Sequence, residues 1–484
     1  MPAACPTAHA LHALPCRLAA LGGLILAVTG CASPPPSRPD TAVTDVPAAW
    51  AAAPGSATPW AALNATWWQR FNDPLLTDLV RQALQTNTSL RGARAALRQA
   101  RALRDVAAAG LLPALGGSAS AQRGTAGGRS TGNLFQAGLD ASWEADLFGA
   151  NRSALAATQA SADASVASLG DVQVSITAEL ALAYIGLRGA QAQALIATRN
   201  LASQQETLQI TDWRRQAGLV TTLDTEQARA GAEQTAATLP VLATRVRQTG
   251  HAIAVLTGQP PAALLALLAA TAPVPLALDG LHLSFPADTL RQRADVRVAE
   301  LQVAAAAARV DQAGAARLPN FKLGGSLGLS AVTLGALTGG SALASSLLAS
   351  VSLPVFDGGA GRAQVLAQQA ALDQARSSYR ATVLTALKDV EDALVALAGD
   401  RDRLLHLRAA ADAASNAALL ANLRYGSGLV DFQTVLSTQR TQLSTQDSVA
   451  SASADVSADQ VRLFKALGGG WRADIDTTRT SPSP

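Results

Sequence analysis

The chain has 484 residues, of which 49% are hydrophobic, 15% charged and 4% aromatic, and its formal net charge is +3. Such a composition is too apolar and too weakly charged for a disordered polyelectrolyte. The basic residues are mostly scattered arginines, and no basic run is dense enough to form a nucleic-acid patch. Much of the apolar share is alanine, so we expect a folded, helix-rich chain with no nucleic-acid partner.

The first 30 residues have the features of a secretory signal peptide. Arg17 precedes an apolar stretch over residues 18–28, which is too short to cross a bilayer as a stable helix. The stretch leads into Gly30-Cys31, preceded by Val28 and Thr29, an ending that resembles the bacterial lipobox. We therefore expect Cys31 to be acylated and to become the new N-terminus. The alternative is an ordinary signal peptide with a chance cysteine.

The segment after the leader is expected to be a lipidated tether. Cys5 and Cys16 lie in the leader, so Cys31 is the one cysteine of the mature chain and cannot form an internal disulfide. Residues 31–60 are rich in proline and alanine, a composition typical of extended linkers. No aspartate follows the cysteine as an inner-membrane retention signal. By resemblance to the sorting rules of bacterial lipoproteins, we expect a lipid anchor in the outer membrane of a Gram-negative bacterium. No later segment is predicted to be a membrane helix.

Two copies of one unit organise the rest of the chain. Gly218-Leu219-Val220 recurs as Gly428-Leu429-Val430, at a shift of 210 residues. Leu112-Pro113-Ala114 matches Leu318-Pro319-Asn320 at a shift of 206, which places an insertion between these landmarks. Ordered matches at nearly constant spacing indicate a duplication. The predicted first repeat, inter-repeat linker, second repeat and C-terminal tail are residues 61–260, 261–285, 286–471 and 472–484.

Each repeat is predicted to contain a long helix and an antiparallel return helix. Residues 149–216 contain no proline, and a helix of that length measures about 100 Å at 1.5 Å per residue. Heptad rows such as Leu180, Leu187 and Ala194 indicate supercoiling against a neighbour. A long soluble coiled coil would show the same pattern. The other three predicted helices are residues 221–257, 359–425 and 431–467.

Alternating segments predict β-strands in both repeats. Phe135, Leu139 and Trp143 share an apolar face, whereas Gln136 and Asp140 lie on a polar one. Residues 321–330 and 347–355 alternate in the same way. A period of two over about ten residues is typical of transmembrane β-strands, although a half-buried soluble sheet also alternates. Four strands cannot close a barrel in lipid, so a membrane location requires several chains that pool their strands.

Two motifs carry a resemblance to a known family. Residues 67–75 (WWQRFNDPL) resemble the opening signature of outer-membrane efflux lipoproteins of the TolC-like outer membrane factor family, nodulation-T type. Residues 285–300 resemble that family's entry to its second repeat, with Ala294 where the family usually has proline. The resemblance covers residues 60–471. It implies a mainly α fold with a transmembrane β part, built from a duplicated helix-strand-strand-helix-helix unit. It also implies a homotrimer whose 12-stranded β-barrel continues into a long periplasmic α-barrel.

The same resemblance implies a passive exit duct and not an enzyme. Such a duct serves a periplasmic adaptor (membrane fusion) protein and an inner-membrane pump, most often of the resistance-nodulation-division type, and conducts small molecules such as drugs and toxic compounds. No cofactor or metal is implied, and His251, His282 and His406 lack metal-ligand spacing. Two alternatives remain: the outer-membrane component of a type I secretion system, and a non-transporting helical structural lipoprotein.

The two Gly-Leu-Val segments are predicted helix reversals, after which Thr221 and Asp431 can cap the next helices. By resemblance these reversals form the periplasmic tip where the duct is gated. The family usually has an aspartate nine residues after the second glycine, where Ser437 stands, and Thr434 holds another family position. Asp431 is a candidate for a substitute acidic ring, or is simply a carboxylate favoured by the helix dipole.

Tyr425 and Asp224 match family positions that hydrogen-bond across neighbouring hairpins in the closed state, and the carboxylate would strengthen that bond. Arg440 matches a family arginine near the gate. The simpler alternatives are that Asp224 and Arg440 are solvated helix charges. The candidate gate and pore residues are therefore Asp224, Tyr425, Asp431, Thr434, Ser437 and Arg440.

Overall fold

The structure is a computed structural model that describes residues 46–47, 49–51, 66–124, 132–277 and 286–471. The predicted leader, the acylation site Cys31, most of the tether and the C-terminal tail lie outside the described residues. The chain divides into two compact units. The described part of the sheet unit is residues 104–158 and 304–372, and the helical unit holds the remaining described residues.

Long helices dominate the described residues. The helices are α1 (Pro74–Thr86), α2 (Thr88–Ala109), α3 (Ala150–Gln216), α4 (Thr222–Leu256), α5 (Leu265–Leu268), α6 (Pro286–Gln292), α7 (Ala294–Ala315), α8 (Ala360–Gly426) and α9 (Phe432–Ala466). The strands are β1 (Ala114–Gly124), β2 (Gly132–Ala145), β3 (Asn320–Ala331) and β4 (Leu343–Ser352). Short 3-10 helices occupy Trp67–Phe71, Leu334–Thr338 and Gly340–Ala342.

The predicted duplication is confirmed residue by residue. The bounds of α2 and α7 differ by 206, and those of α3 and α8, and of α4 and α9, differ by 210. Left-handed glycines that end the return helices recur at the same shift, Gly258 with φ 72° and Gly468 with φ 76°. Because the shift changes between β1 and α3, the four extra residues of the second repeat lie in its strand region.

The core of the helical unit is built around the opening signature. Trp67 is fully buried and stacks on Phe464 of α9, with ring centroids 5.3 Å apart, while Phe71 meets Trp67 edge-on at 6.0 Å. The predicted heptad residues Leu180 and Leu187 of α3 are also fully buried in this cluster. Aromatic pairs of this kind contribute about 0.5–1.5 kcal/mol beyond their buried area. The first and last described helical segments are thereby joined.

The α3 helix is apolar enough over part of its length to resemble a membrane span. It contains an 18-residue window with mean hydropathy 1.2 and at most two charged residues, so it qualifies by length and composition. The sequence predicts no membrane helix after the leader. Alanines that let neighbouring helices approach closely also raise the hydropathy, and 44% of the window is buried inside the protein. The apolar character of the window is thus accounted for by packing within the protein.

The sheet unit contains one antiparallel sheet in the order β1-β2-β3-β4. Leu139 of β2 faces Leu327 of β3, and Trp143 faces Leu323, so the predicted apolar faces of these strands coincide. All four side chains are 39–51% exposed. The prediction for β4 is partly wrong, because the strand begins at Leu343 and ends at Ser352. Pro354 has no N–H to donate to the ladder, and the alternation predicted as far as residue 355 does not continue as a strand.

The opposite face of the sheet is polar and internally bonded. Ser118 of β1 donates to Asp140 of β2 at 3.3 Å, and Ser326 and Ser346 share a hydrogen bond of 2.8 Å. Asn320 donates to Glu144 at 2.6 Å. The sheet therefore has one apolar face that is left exposed and one face on which hydroxyl and carboxylate groups satisfy each other.

Candidate functional site

The tip hairpins are shaped by two equivalent helix C-caps. Gly218 adopts φ 70° and its N–H donates to the carbonyl of Arg215 at 3.0 Å, while Leu219 N–H reaches Arg214 at 2.9 Å. The same two bonds recur 210 residues later at Gly428, whose φ is 74°. This pair of bonds is the Schellman motif, which requires a left-handed residue and so favours glycine. Both predicted helix reversals are confirmed.

A side-chain cap begins each return helix. Thr221 caps α4, and its backbone N–H donates to the Asp224 carboxylate at 2.9 Å, which completes a capping box. Asp431 caps α9 by accepting from the Thr434 N–H at 2.9 Å and from the Thr434 hydroxyl at 2.6 Å. These two bonds hold the pKa of the Asp431 carboxyl below its usual range. Asp224 and Asp431 therefore both have structural work within one chain.

Four candidate pore residues lie on one exposed stripe of α9. Asp431, Thr434, Ser437 and Arg440 recur every three residues, and all four are exposed. Between them, buried residues turn towards the hairpin core: Phe432, Val435, Leu436 and Gln439. Spacings of three and four residues place side chains on one side of a helix. The structure thus brings the four candidates together on the face opposite the packed one.

Tyr425 lies on the packed side of the same hairpin. The ring is 94% buried in a small cluster with Phe432, whose ring centroid is 5.8 Å away. Arg214, from the last turn of α3, places its guanidinium 4.3 Å from the ring centroid and donates to the Gly426 carbonyl at 3.0 Å. Within the part of the chain that the structure describes, the buried Tyr425 hydroxyl has no hydrogen-bond partner.

Sequence reasoning missed Arg214. A basic residue in the last helical turn is a common C-terminal feature, so its position carried only a general signal. Its contact with Tyr425 depends on two hairpins 210 residues apart being neighbours. Asp224 bonds within its own capping box, and the hydrogen bond to Tyr425 that the family resemblance implies would join neighbouring hairpins. That bond stays a prediction.

A duplicated chain of long helices with four strands that expose an apolar face defines an outer-membrane channel protomer. Residues 79–259 and 285–469 match the model of the outer membrane efflux protein family, and the chain belongs to that family. The predicted fold class and the predicted role in outer-membrane efflux are confirmed. The family is one of transport ducts and not a class of enzymes.

Individual relatives agree over nearly the whole length. The chain is 33% identical over 471 residues to the pyoverdine export outer membrane protein OpmQ of Pseudomonas putida, covering 94% of this chain and 97% of that one. It is 32% identical over 410 residues to nodulation protein T of Rhizobium leguminosarum bv. viciae, covering 84% and 85%. The solved structure of the outer-membrane channel OprN superposes with a TM-score of 0.84 at 36% identity, covering 91% and 99%.

Proposed function

We propose that this chain forms a homotrimeric, lipid-anchored exit duct that conducts small molecules across the outer membrane. The observation that carries this proposal is the four-stranded sheet, in which β1 and β4 each have one strand neighbour and apolar side chains are exposed. Unpaired strand edges are not stable in lipid, where each unsatisfied backbone group costs several kcal/mol. Three copies that join β1 to β4 would satisfy both edges in a closed 12-stranded barrel.

The duct is proposed to receive its cargo at the helical tip. Leu219 and Leu429, at the two helix reversals, are 73% and 74% exposed. Apolar side chains presented on a capped turn suit a periplasmic adaptor protein, which in turn would hold a resistance-nodulation-division pump. The pump supplies the energy, and the chain is a passive conduit. Acylation of Cys31 would hold the trimer in the outer membrane, since each buried CH₂ contributes about 0.8 kcal/mol.

The gate is proposed to lie where the exposed stripe of α9 faces the lumen. Asp431, Thr434, Ser437 and Arg440 would then line the constriction, one set from each copy. Tyr425 and Asp224 would hold neighbouring hairpins in the closed state. The support for this role is the shared exposed face of the first four residues and the unpartnered hydroxyl of Tyr425 among the described residues.

Crosslinking in living cells tests the proposed partners. A photo-activatable residue at Thr221 or Ser427 probes the tip, and the same residue at Ser377, exposed in the first half of α8, is the matched control. We expect the tip probes, and not the control, to capture a periplasmic adaptor and, through it, a resistance-nodulation-division pump. Capture of an ATP-driven exporter would move the chain to type I secretion. Self-crosslinks alone would contradict the partner assignment.

A further inference from the structure

The second repeat contains an acidic pocket that the channel role does not explain. A cavity of about 580 Å³ lies in the helical unit between α3, α8, α9 and the junction of α6 with α7. Ligand pockets of proteins usually measure about 300–1,000 Å³. Five aspartates line the cavity, together with small apolar side chains such as Val174 and Ala396. The five are Asp171, Asp295, Asp389, Asp392 and Asp459.

The basic residues of the pocket do not balance these acids. Arg293 donates to Asp295 at 2.6 Å, to Asp389 at 3.3 Å and to the Ala466 carbonyl at 2.8 Å. Arg462 is bonded to Asp459, and Lys465 is the third basic lining residue. Five carboxylates against three cations leave the lining with a formal charge of −2. The donors of Arg293 are already used, which leaves the pocket suited to a cation and not to an anion.

Two of the carboxylates are incompletely satisfied. Asp459 is 1% exposed, and its second oxygen, Oδ2, has no hydrogen-bond partner among the described residues. Burial raises the pKa of Asp459, and a hydrogen bond shared with Asp400 raises it further, which requires a proton on one of the two acids. Asp171 makes no hydrogen bond or ion pair with the described part of the chain, and burial and Asp295 raise its pKa. A positive charge would relieve both groups.

The duplication shows that the helical packing does not require these charges. At the equivalent positions of the first repeat, Val255 replaces Lys465, Ala252 replaces Arg462 and Thr249 replaces Asp459. Further equivalents are Leu182 for Asp392, Ser89 for Asp295 and, in the opposite direction, Ala381 for Asp171. The first repeat builds the same helices with neutral residues at these positions. The charges are therefore a property of the pocket and not of the fold.

The chemistry of the pocket selects the kind of cation. Among the described residues, no group of three or more histidine, cysteine or acidic side chains is placed to hold a metal ion. Methylene groups would contact the apolar lining, and ammonium groups would meet the free carboxylate oxygens. We propose that this pocket binds a small organic cation with primary ammonium groups, such as a diamine, with Asp171 and Asp459 as its main anionic contacts.

Calorimetric titration of the full-length protein, purified in detergent, with putrescine tests the proposal. We expect one site per chain, no binding of the neutral analogue 1,4-butanediol, and at least roughly tenfold weaker binding in Asp171→Asn, because hydrogen bonds to charged groups are strong. Asp373→Asn is the matched control, since it removes an acid of the same charge from an exposed position of α8. That control should bind like the wild type.

An equal affinity in wild type and Asp171→Asn would overturn the site, and so would an equal loss in Asp171→Asn and Asp373→Asn. If Asp171→Asn does not assemble, Ala396→Leu supplies a second test, because it narrows the cavity from an exposed alanine of α8. Unchanged putrescine binding in Ala396→Leu would equally contradict the proposal. None of these outcomes depends on conductance or on a pump.

Discussion

Tyr425 is the residue whose surroundings most directly indicate a neighbouring chain. Buried hydroxyls in proteins nearly always have a hydrogen-bond partner. The Tyr425 ring is held by Arg214 and Phe432, yet its hydroxyl has no partner among the described residues. A carboxylate such as Asp224 from an adjacent hairpin would satisfy it. This interpretation makes the tip a structure that a single chain cannot complete.

Removing the proposed bond should open the tip. We expect the double substitution Tyr425→Phe with Asp224→Ala to raise single-channel conductance in planar lipid bilayers, because the closed state loses a charge-assisted hydrogen bond in each copy. Asp224 also belongs to the α4 capping box. Asp431→Ala, which removes the equivalent cap from α9, therefore serves as the control. Conductance equal to wild type in the double variant would remove the gating role.

Ser437 tests where the lumen lies. Its exposed side chain shares the α9 stripe with Asp431 and donates to the Thr434 carbonyl at 3.0 Å. If the stripe faces the pore, Ser437→Asp places a ring of negative charge there, and cation selectivity should rise. The reversal potential under a salt gradient measures this change. Ser437→Asn controls for side-chain size, and an Asp variant with the reversal potential of wild type would contradict the assignment.

Tyr184 gives the helical core a predictable response to alkaline pH. Its hydroxyl donates to Asp73 at 2.7 Å and accepts from Arg188 at 2.9 Å. Burial, and then the bond to Asp73, raise the pKa of Tyr184 from 10.0 to about 12. The folded state therefore binds this proton more tightly than the unfolded state. The resulting stability is complete below pH 10 and is lost as the pH rises to about 12.

Thermal unfolding across that pH range measures the effect. The wild type should lose melting temperature between pH 10 and about 12 more steeply than Tyr184→Phe, which has no ionisable hydroxyl at this position. Tyr379→Phe is the comparison variant, since burial raises the pKa of Tyr379 as well, but Tyr379 makes no bond to Asp73. Parallel pH profiles for the wild type and Tyr184→Phe would disprove the coupling.

At the scale of elements, close helix approach depends on small residues at defined positions. Gly170 of α3 is buried against Trp471, and a Cβ at this glycine would lie 2.5 Å from the indole ring. Trp471 is itself fixed by donating to the Gln292 carbonyl at 2.9 Å. A Cβ at Gly186 of the same helix would have no described atom within 4 Å outside its own helical turn, so this glycine faces open space. The two glycines form a matched pair.

Gly170→Ala should destabilise the protein by about 1–3 kcal/mol, because overpacking forces a rigid ring or the backbone to move. Gly186→Ala should be neutral or stabilising by up to about 1 kcal/mol, because alanine favours helix. Denaturant unfolding of the two variants measures the difference. Equal stabilities for both would show that Trp471 does not constrain α3.

The long helices were predictable to within one or two residues because their ends carry local signals. Gly218 and Gly428 end them and Thr221 and Asp431 begin the next ones, and each signal acts within a few residues of chain. The last strand was predicted too long, since alternation continues past Pro354 although the ladder does not. The Arg214–Tyr425 contact and the acidic pocket were out of reach, because both join residues more than 200 positions apart.

At the scale of the whole molecule, the account depends on how three sheets meet. Within one chain, β1 and β4 each have one strand neighbour, and the apolar face of the sheet is exposed. A closed barrel needs β1 of one copy to pair with β4 of the next, in the same sense all round the ring. A soluble helical lipoprotein would have no such pairing.

Disulfide crosslinking between strand edges in isolated outer membranes tests that pairing most directly. A cysteine replaces Ser118 in β1 and is combined with single cysteines scanned over residues 344–350 of β4, since a disulfide requires Cα atoms about 4.4–6.8 Å apart. We predict adducts of two and three chains for the pairs in register, and none for either cysteine alone. Absence of adducts in every register, or dimers formed by the β1 cysteine alone, would contradict the trimeric duct.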